Sequence, residues 1–221
     1  MSYSRSSKNR LTRHDVARFL GDTLFERVAR AVCVADVLPR KELYEAWEVA
    51  RRVRRRFRSG RVVDVAGGHG LLAYLMLLLD DTSGDAHVVD PALPPSAVVL
   101  HDVLTAAWPR LVGRVHSIAA PLESFAFTRD DVVVSSHACG ALTDTVLECA
   151  VSVRARVAVL PCCHDRSTCD AGSLTGWVDA PLAIDLRRAA RLEQRGYRVW
   201  TQTIPFAITP KNRLLLGAPV S

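Results

Sequence analysis

The sequence predicts an α/β fold: a mostly parallel seven-stranded sheet closed by a C-terminal antiparallel hairpin and preceded by N-terminal helices. Three observations lead there. From Gly60 onward, short apolar runs alternate with segments of helical periodicity, the pattern of repeated βαβ units. The last two apolar runs are joined by only a short loop, and a short connection requires an antiparallel pair. A glycine-rich turn joins the first run directly to an apolar helix.

The elements follow in order. Strands are expected at 61–66, 86–90, 114–118, 131–136 and 157–161, with helices at 71–79, 96–108 and 142–151. A helix at 182–196 closes at Gly196, and the hairpin takes 198–204 and 213–217. Upstream, residues 13–58 read as a helical extension. Asp15 is placed to cap a first helix, on which Leu24, Phe25, Val28, Ala31 and Val32 recur at helical spacing. Pro39 opens a second helix, because its missing N–H costs nothing in a first turn. Leu43, Trp47, Ala50 and Val53 form that helix's apolar stripe. Residues 1–12 are polar and basic and read as a disordered tail, leaving 59–221 as the main domain.

Bulk properties narrow the class. The 221 residues are 49% hydrophobic and 24% charged, a globular rather than a disordered balance. No apolar run reaches the about 18 residues that a membrane-spanning helix needs. The N-terminus has no apolar core of the secretory kind, so the six cysteines (Cys33, Cys139, Cys149, Cys162, Cys163 and Cys169) are expected reduced and the protein cytoplasmic. The net charge of +6 and the run Arg51–Arg58 fit a phosphate-bearing partner such as RNA. A solvated basic face is the competing reading.

The strongest local signal is R-V-V-D-V-A-G-G-H-G-L-L, a buried strand, a glycine turn and a helix. Glycines let the backbone turn sharply and approach a ligand closely. The spacing resembles the S-adenosylmethionine motif D/E-x-G-x-G-x-G of class I methyltransferases. Asp64, Ala66, Gly68 and Gly70 hold its positions, Ala66 replaces its first glycine, and Gly67 lies beside it. The second strand ends at Asp90, and an acidic residue there accepts hydrogen bonds from both hydroxyls of a ribose. The same feature serves nicotinamide cofactors. Two features favour S-adenosylmethionine: the antiparallel hairpin, and an acidic Asp64 placed to bear on the cationic methionine end. Leu122-Glu123-Ser124 is where adenine contacts are expected.

The fourth strand runs into His137-Ala138-Cys139-Gly140-Ala141-Leu142-Thr143-Asp144, and the fifth into Cys162-Cys163-His164. In an open α/β sheet, ligands bind outside the carboxyl ends of the strands, so both segments face the cofactor's crevice. Over roughly 61–170 the sequence resembles the methyltransferase family that includes the eukaryotic tRNA acceptor-stem 2'-O-methyltransferases, which carry H-x-C-G-x-x-T-D and C-C-H segments at these places. The helix bearing Lys41 and Glu42 resembles a Lys-Glu-rich helix ahead of the glycine motif in related proteins. The resemblance implies a Rossmann-like domain, S-adenosylmethionine as cofactor and an RNA acceptor.

The residues themselves leave three readings of this cluster. His137 or His164 is a general base, suited by a pKa near neutral. Alternatively Cys139, Cys162, Cys163 and His164 bind zinc, although adjacent Cys162 and Cys163 depart from C-x₂₋₄-C spacing. Or a cysteine attacks C6 of a pyrimidine and activates C5. Tight packing of small cysteines competes with all three. We assign His137, Cys139, Cys162 and His164 to catalysis and assign no metal. Lys41, Lys211 and Arg213 are assigned to an anionic substrate, with residues 209–213 falling in the hairpin turn or at the start of the last strand. His69 is expected to shape the glycine turn, and His87 and His116 are given no role. Methylation of RNA, with tRNA as one such acceptor, leads. Methylation of a small molecule or protein, or a nucleic-acid-binding module without turnover, are the alternatives.

Overall fold

A computed structural model describes residues 3–220 of the chain. Seven strands form one sheet in the order β3-β2-β1-β4-β5-β7-β6. They are β1 (Val62–Val65), β2 (Ala86–Val89), β3 (Val115–Ile118), β4 (Val132–Ser135), β5 (Arg156–Val159), β6 (Tyr197–Thr203) and β7 (Arg213–Pro219). β1 pairs in parallel with β2 and β4, β2 with β3 and β4 with β5, whereas β7 runs antiparallel between β5 and β6. The expected sheet and its C-terminal hairpin are therefore present.

The helices are α1 (Leu24–Ala35), α2 (Arg40–Arg56), α3 (Leu71–Leu78), α4 (Ala97–Ala107), α5 (Leu142–Ser152) and α6 (Ala180–Gln194). Alternate strand residues point to opposite faces. Val62, Val88, Val132 and Val134 pack under α1–α4, and Val63, Val65, Val133 and Val157 pack under α5 and α6. Both faces are covered, which is why the strands read as continuous apolar runs. Between β3 and β4 only a short 3₁₀ turn at Leu122–Ser124 forms, and Phe125 and Phe127 pack against each other beside it.

The N-terminal extension differs from expectation in two details. Asp15 does not cap α1. It is the third residue of a 3₁₀ turn at Arg13–Arg18, where its carboxylate accepts the Thr12 N–H and hydroxyl. Thr23 caps α1 instead, accepting the Glu26 N–H. Of residues 1–12, expected as a disordered tail, 1–2 lie outside the described residues and 3–12 lie against the extension: Leu11 is fully buried, and Arg10 bridges to Pro39. The apolar Leu11 supplies an anchor that the surrounding polar composition hides. No helix among the described residues is long and apolar enough to cross a membrane.

The arginine run 51–58 largely serves the fold. Arg51 and Arg52 pair with Glu48 on the same helix, and Arg58 pairs with Asp80. Arg54, 2% exposed, donates to the Met76 carbonyl at 2.9 Å and the Ser83 hydroxyl at 2.8 Å, and meets Asp80 at 3.1 Å. This clamp ties the end of α2 to the end of α3, the helix that starts at the glycine turn. Removing one partner of a buried pair leaves the other charge uncompensated. Asp80→Ala should therefore lower unfolding stability by about 3–5 kcal/mol in urea denaturation. An unchanged midpoint would show that the clamp is not structural.

Candidate active site

The order β2-β1-β4 reverses direction of winding at β1, and a crevice opens outside the carboxyl ends of β1 and β4. The glycine turn forms one wall. Ala66 N–H donates to the Val89 carbonyl at 2.9 Å, and Gly68 N–H donates to Asp90 Oδ2 at 3.1 Å, so the ends of β1 and β2 are laced together. Asp90 Oδ1 accepts the Ala92 N–H at 2.9 Å. Each carboxylate oxygen keeps a second lone pair for another donor. A side chain at Gly67 or Gly70 would collide with Val88, at 2.8 Å and 2.7 Å from the added carbon, while nothing lies within 4 Å of one at Gly68. The turn is thus pressed on the sheet at two glycines and open at the third.

Ala66 has φ of 53°, the left-handed region in which a Cβ costs about 1–2 kcal/mol. This is where the motif ordinarily has glycine, so the substitution keeps the turn and carries strain.

Asp64 lies on the α3 face of β1, fully buried, and accepts the Ala73 N–H at 3.2 Å from the first turn of α3. Burial pushes its carboxyl up to about 7, against that hydrogen bond, and Asp90 adds to the rise. The side chain braces the turn from below, 2.9 Å from a carbon built on Gly67. His69, expected to shape the turn, bonds Ser96 through Nε2 at 2.9 Å.

His137 follows β4 and lines a narrow cavity of about 20 Å³ with Glu42, Ala46, Gly67, His69 and Ser136. Burial raises the Glu42 carboxyl, and His137 opposes the rise. Glu42 was not among the assigned site residues, although its helix was singled out. Lys41 forms an ion pair with the buried Glu45 at 2.7 Å. Larger cavities lie elsewhere: one of about 600 Å³ within the N-terminal extension beside Phe19 and Tyr44, one of about 450 Å³ between α1 and α4, and one of about 420 Å³ between α6 and β6.

The H-A-C-G-A-L-T-D segment is largely architecture. Gly140 sits at φ 57°, the buried Thr143 hydroxyl donates to the Ala138 carbonyl at 2.6 Å, and Asp144 accepts two bonds from Arg188, at 3.1 and 2.8 Å. Arg188, on α6 and 1% exposed, also donates to the Gly140 carbonyl at 2.9 Å. One turn away, Asp185 accepts His164 Nε2 at 2.8 Å and Arg213 Nε at 2.7 Å. Burial pushes the Asp185 carboxyl up, but the bonds from His164 and Arg213 outweigh it and hold the carboxyl below the ordinary range. Arg213 thus spends its charge within the protein. Neither Asp185 nor Arg188 was anticipated from the sequence.

The cysteines meet. Cys139 Sγ is 2.6 Å from Cys162 Sγ, which is 3.9 Å from Cys163 Sγ, and Lys211 Nζ is 3.6 Å from Cys163 Sγ. Burial pushes the Cys139 and Cys162 thiols up. Cys163 is drawn down by its hydrogen bond with Cys139, then by Cys162 and Lys211, against its burial. Of the three, only Cys163, the one cysteine of the cluster not assigned to catalysis, has its thiol lowered. His87 and His116 pair across β2 and β3 near Asp85, away from the crevice.

No protein-family model matches the chain, and no curated protein does. Solved structures share its architecture. An O-methyltransferase family protein from Burkholderia thailandensis is 19% identical, covering 97% of this chain and 65% of its own, with a TM-score of 0.56. The S-adenosylmethionine-dependent methyltransferase SibL is 18% identical over 96% of this chain, with a TM-score of 0.54. A ribosomal protein L11 methylase from Lactobacillus delbrueckii subsp. bulgaricus is 12% identical, covering 82% of this chain and 79% of its own, with a TM-score of 0.52. The likeness is one of fold: the chain has the Rossmann-like fold of class I S-adenosylmethionine-dependent methyltransferases. It spans 65% and 66% of the length of the first two proteins.

The raised Asp64 carboxyl has a signed consequence. Between its unfolded value of 3.8 and its folded value of about 7, the unfolded chain ionises while the folded chain stays protonated. Stability therefore falls as pH rises through that window and levels off above it. Asp64→Asn should match the wild type near pH 4 and gain on it by up to ~1.4 kcal/mol per pH unit toward neutrality. Parallel urea titrations of the two proteins at either end of the window check this, and a constant offset would exclude it.

Proposed function

We propose that the chain is an S-adenosylmethionine-dependent methyltransferase that acts on RNA, with tRNA as the acceptor class its motifs resemble. The observation that carries the cofactor reading is the lacing of Asp90 to the glycine turn. The turn offers an open backbone at Gly68, and Asp90 keeps lone pairs for two ribose hydroxyls. These residues fit the cofactor. Ala66, Gly67, Gly68 and Gly70 would hold its methionine part and Asp90 its ribose, while Asp64, expected to bear on the methionine end, is buried beneath the turn and supports it from below.

When bound, S-adenosylmethionine supplies an electrophilic methyl group on a good leaving group. The chain's part is to align the acceptor for in-line attack and to take its proton. His137 is the group for that proton, since it lies beside the glycine turn and shares its narrow cavity with Glu42. His164 instead gives Nε2 to Asp185, which makes it a residue that orients the loop. The acceptor reading rests on the H-A-C-G-A-L-T-D and C-C-H segments. A small-molecule or protein acceptor is the second reading, favoured by the internal pairing of Arg51, Arg52, Arg54 and Arg58.

Incubation with methyl-labelled S-adenosylmethionine and a cell extract, followed by separate nuclease and protease digestion, distinguishes them. Label released by nuclease supports RNA. Label released by protease, or found on small molecules, selects the second reading, and no label overturns methyl transfer. Asp90→Ala should weaken S-adenosylmethionine binding roughly tenfold to a hundredfold in calorimetry, the worth of charge-assisted hydrogen bonds. Unchanged affinity would remove Asp90 from the cofactor site.

A further inference from the structure

We propose that Cys139, Cys162 and Cys163 form a binding site for a zinc-class divalent ion, with three protein ligands and one exchangeable position. Their sulfur atoms all lie within 4.8 Å of one another. Three thiolates at about 2.3 Å from a tetrahedral zinc sit roughly 3.8 Å apart, so the cluster needs only small side-chain shifts to enclose the ion. The pairing of adjacent cysteines breaks the familiar C-x₂₋₄-C spacing, but the third ligand comes from another loop. Cys139 follows β4, Cys162 and Cys163 follow β5, and those strands are neighbours in the sheet.

The frame around the thiols is already fixed. Gly140 N–H donates to the Cys163 carbonyl at 3.3 Å, joining the two loops through their backbones. Arg188 holds the Gly140 carbonyl, and Asp185 holds His164. Ordered partners of this kind orient ligands before a metal arrives. Charge also balances: three thiolates around a dication carry a net negative charge, and the Lys211 ammonium stands 3.6 Å from Cys163 Sγ to offset it.

Ligand chemistry selects the ion. Thiols are soft and disfavour magnesium and calcium. Among the described residues no fourth cysteine, histidine or carboxylate joins the three, which argues against a closed four-thiolate site or an iron–sulfur cluster. His164, the adjacent histidine, has its Nε2 committed to Asp185 at 2.8 Å. Three protein ligands with an open position are the arrangement of zinc sites that exchange a water for a substrate atom. The open position faces the crevice because both loops leave the carboxyl ends of their strands.

The inference does not depend on methyl transfer, and its test reads metal directly. The full chain is purified under reductant, stripped with a chelator, and titrated with Co²⁺ and then Zn²⁺. The expected result is one equivalent bound, a thiolate-to-cobalt charge-transfer band, and loss of the band as Zn²⁺ displaces Co²⁺. Cys139→Ser and Cys163→Ser should each weaken binding more than roughly tenfold, with circular dichroism confirming that the variants fold. His116→Ala, in the separate Asp85–His87–His116 cluster, should leave the band intact. Absence of the band in the reduced wild-type chain overturns the proposal, even if the serine variants fail to fold. Binding unchanged in the folded serine variants overturns it as well, as does a band lost on His116→Ala.

Discussion

Arg188 is the interaction on which the acceptor side of the crevice depends. Its guanidinium is buried on α6 and shared among Asp144 of α5, the Gly140 carbonyl, Asp185 and the Cys169 thiol. A buried charge is tolerated only when its donors are matched, and a planar fork of five N–H groups is suited to several acceptors at once. Through Asp185 the same network reaches His164 after β5 and Arg213 at the start of β7. The loops after β4 and β5, the two helices behind them and the last strand therefore take their positions from one cation and two carboxylates. The cysteines at the loop tips inherit that order.

The cofactor side is built on different physics. There the constraint is backbone conformation and close approach. Gly67 and Gly70 press on Val88, Ala66 accepts a left-handed φ, and Asp64 is buried beneath them with its carboxyl raised to about 7. Asp90 connects the turn to β2 through the Gly68 N–H. A rigid, nearly neutral floor with one half-buried carboxylate at its edge suits a nucleoside carrying a positive charge nearby.

What was legible in the sequence follows this division. The glycine turn, Asp64 and Asp90 could be read because their chemistry is local: a strand, a turn that needs glycine and a strand-end acid occupy fixed spacings. The strands were legible because both faces are covered, and the hairpin because its loop is short. Asp185 and Arg188 were not. They lie on an amphipathic helix where charged residues ordinarily face solvent, and only the docking of α6 against α5 turns them inward. The same masking applies to the arginine run, whose pairing with Glu48 and Asp80 is tertiary, and to Leu11 within a polar segment. In the H-A-C-G-A-L-T-D segment the spacing was visible, but not that Gly140, Thr143 and Asp144 shape the loop. Cys163, left out of the catalytic assignment, is the cysteine beside Lys211.

The two sides meet between the glycine turn and His137, and a structure of the chain bound to S-adenosylhomocysteine tests that meeting most directly. The account predicts ribose hydroxyls on Asp90, the homocysteine part along Gly67–Gly70, and the sulfur turned toward His137 and the loops held by Arg188. A nucleoside seated elsewhere, such as the groove between α6 and β6, or one that leaves Asp90 untouched, would contradict it.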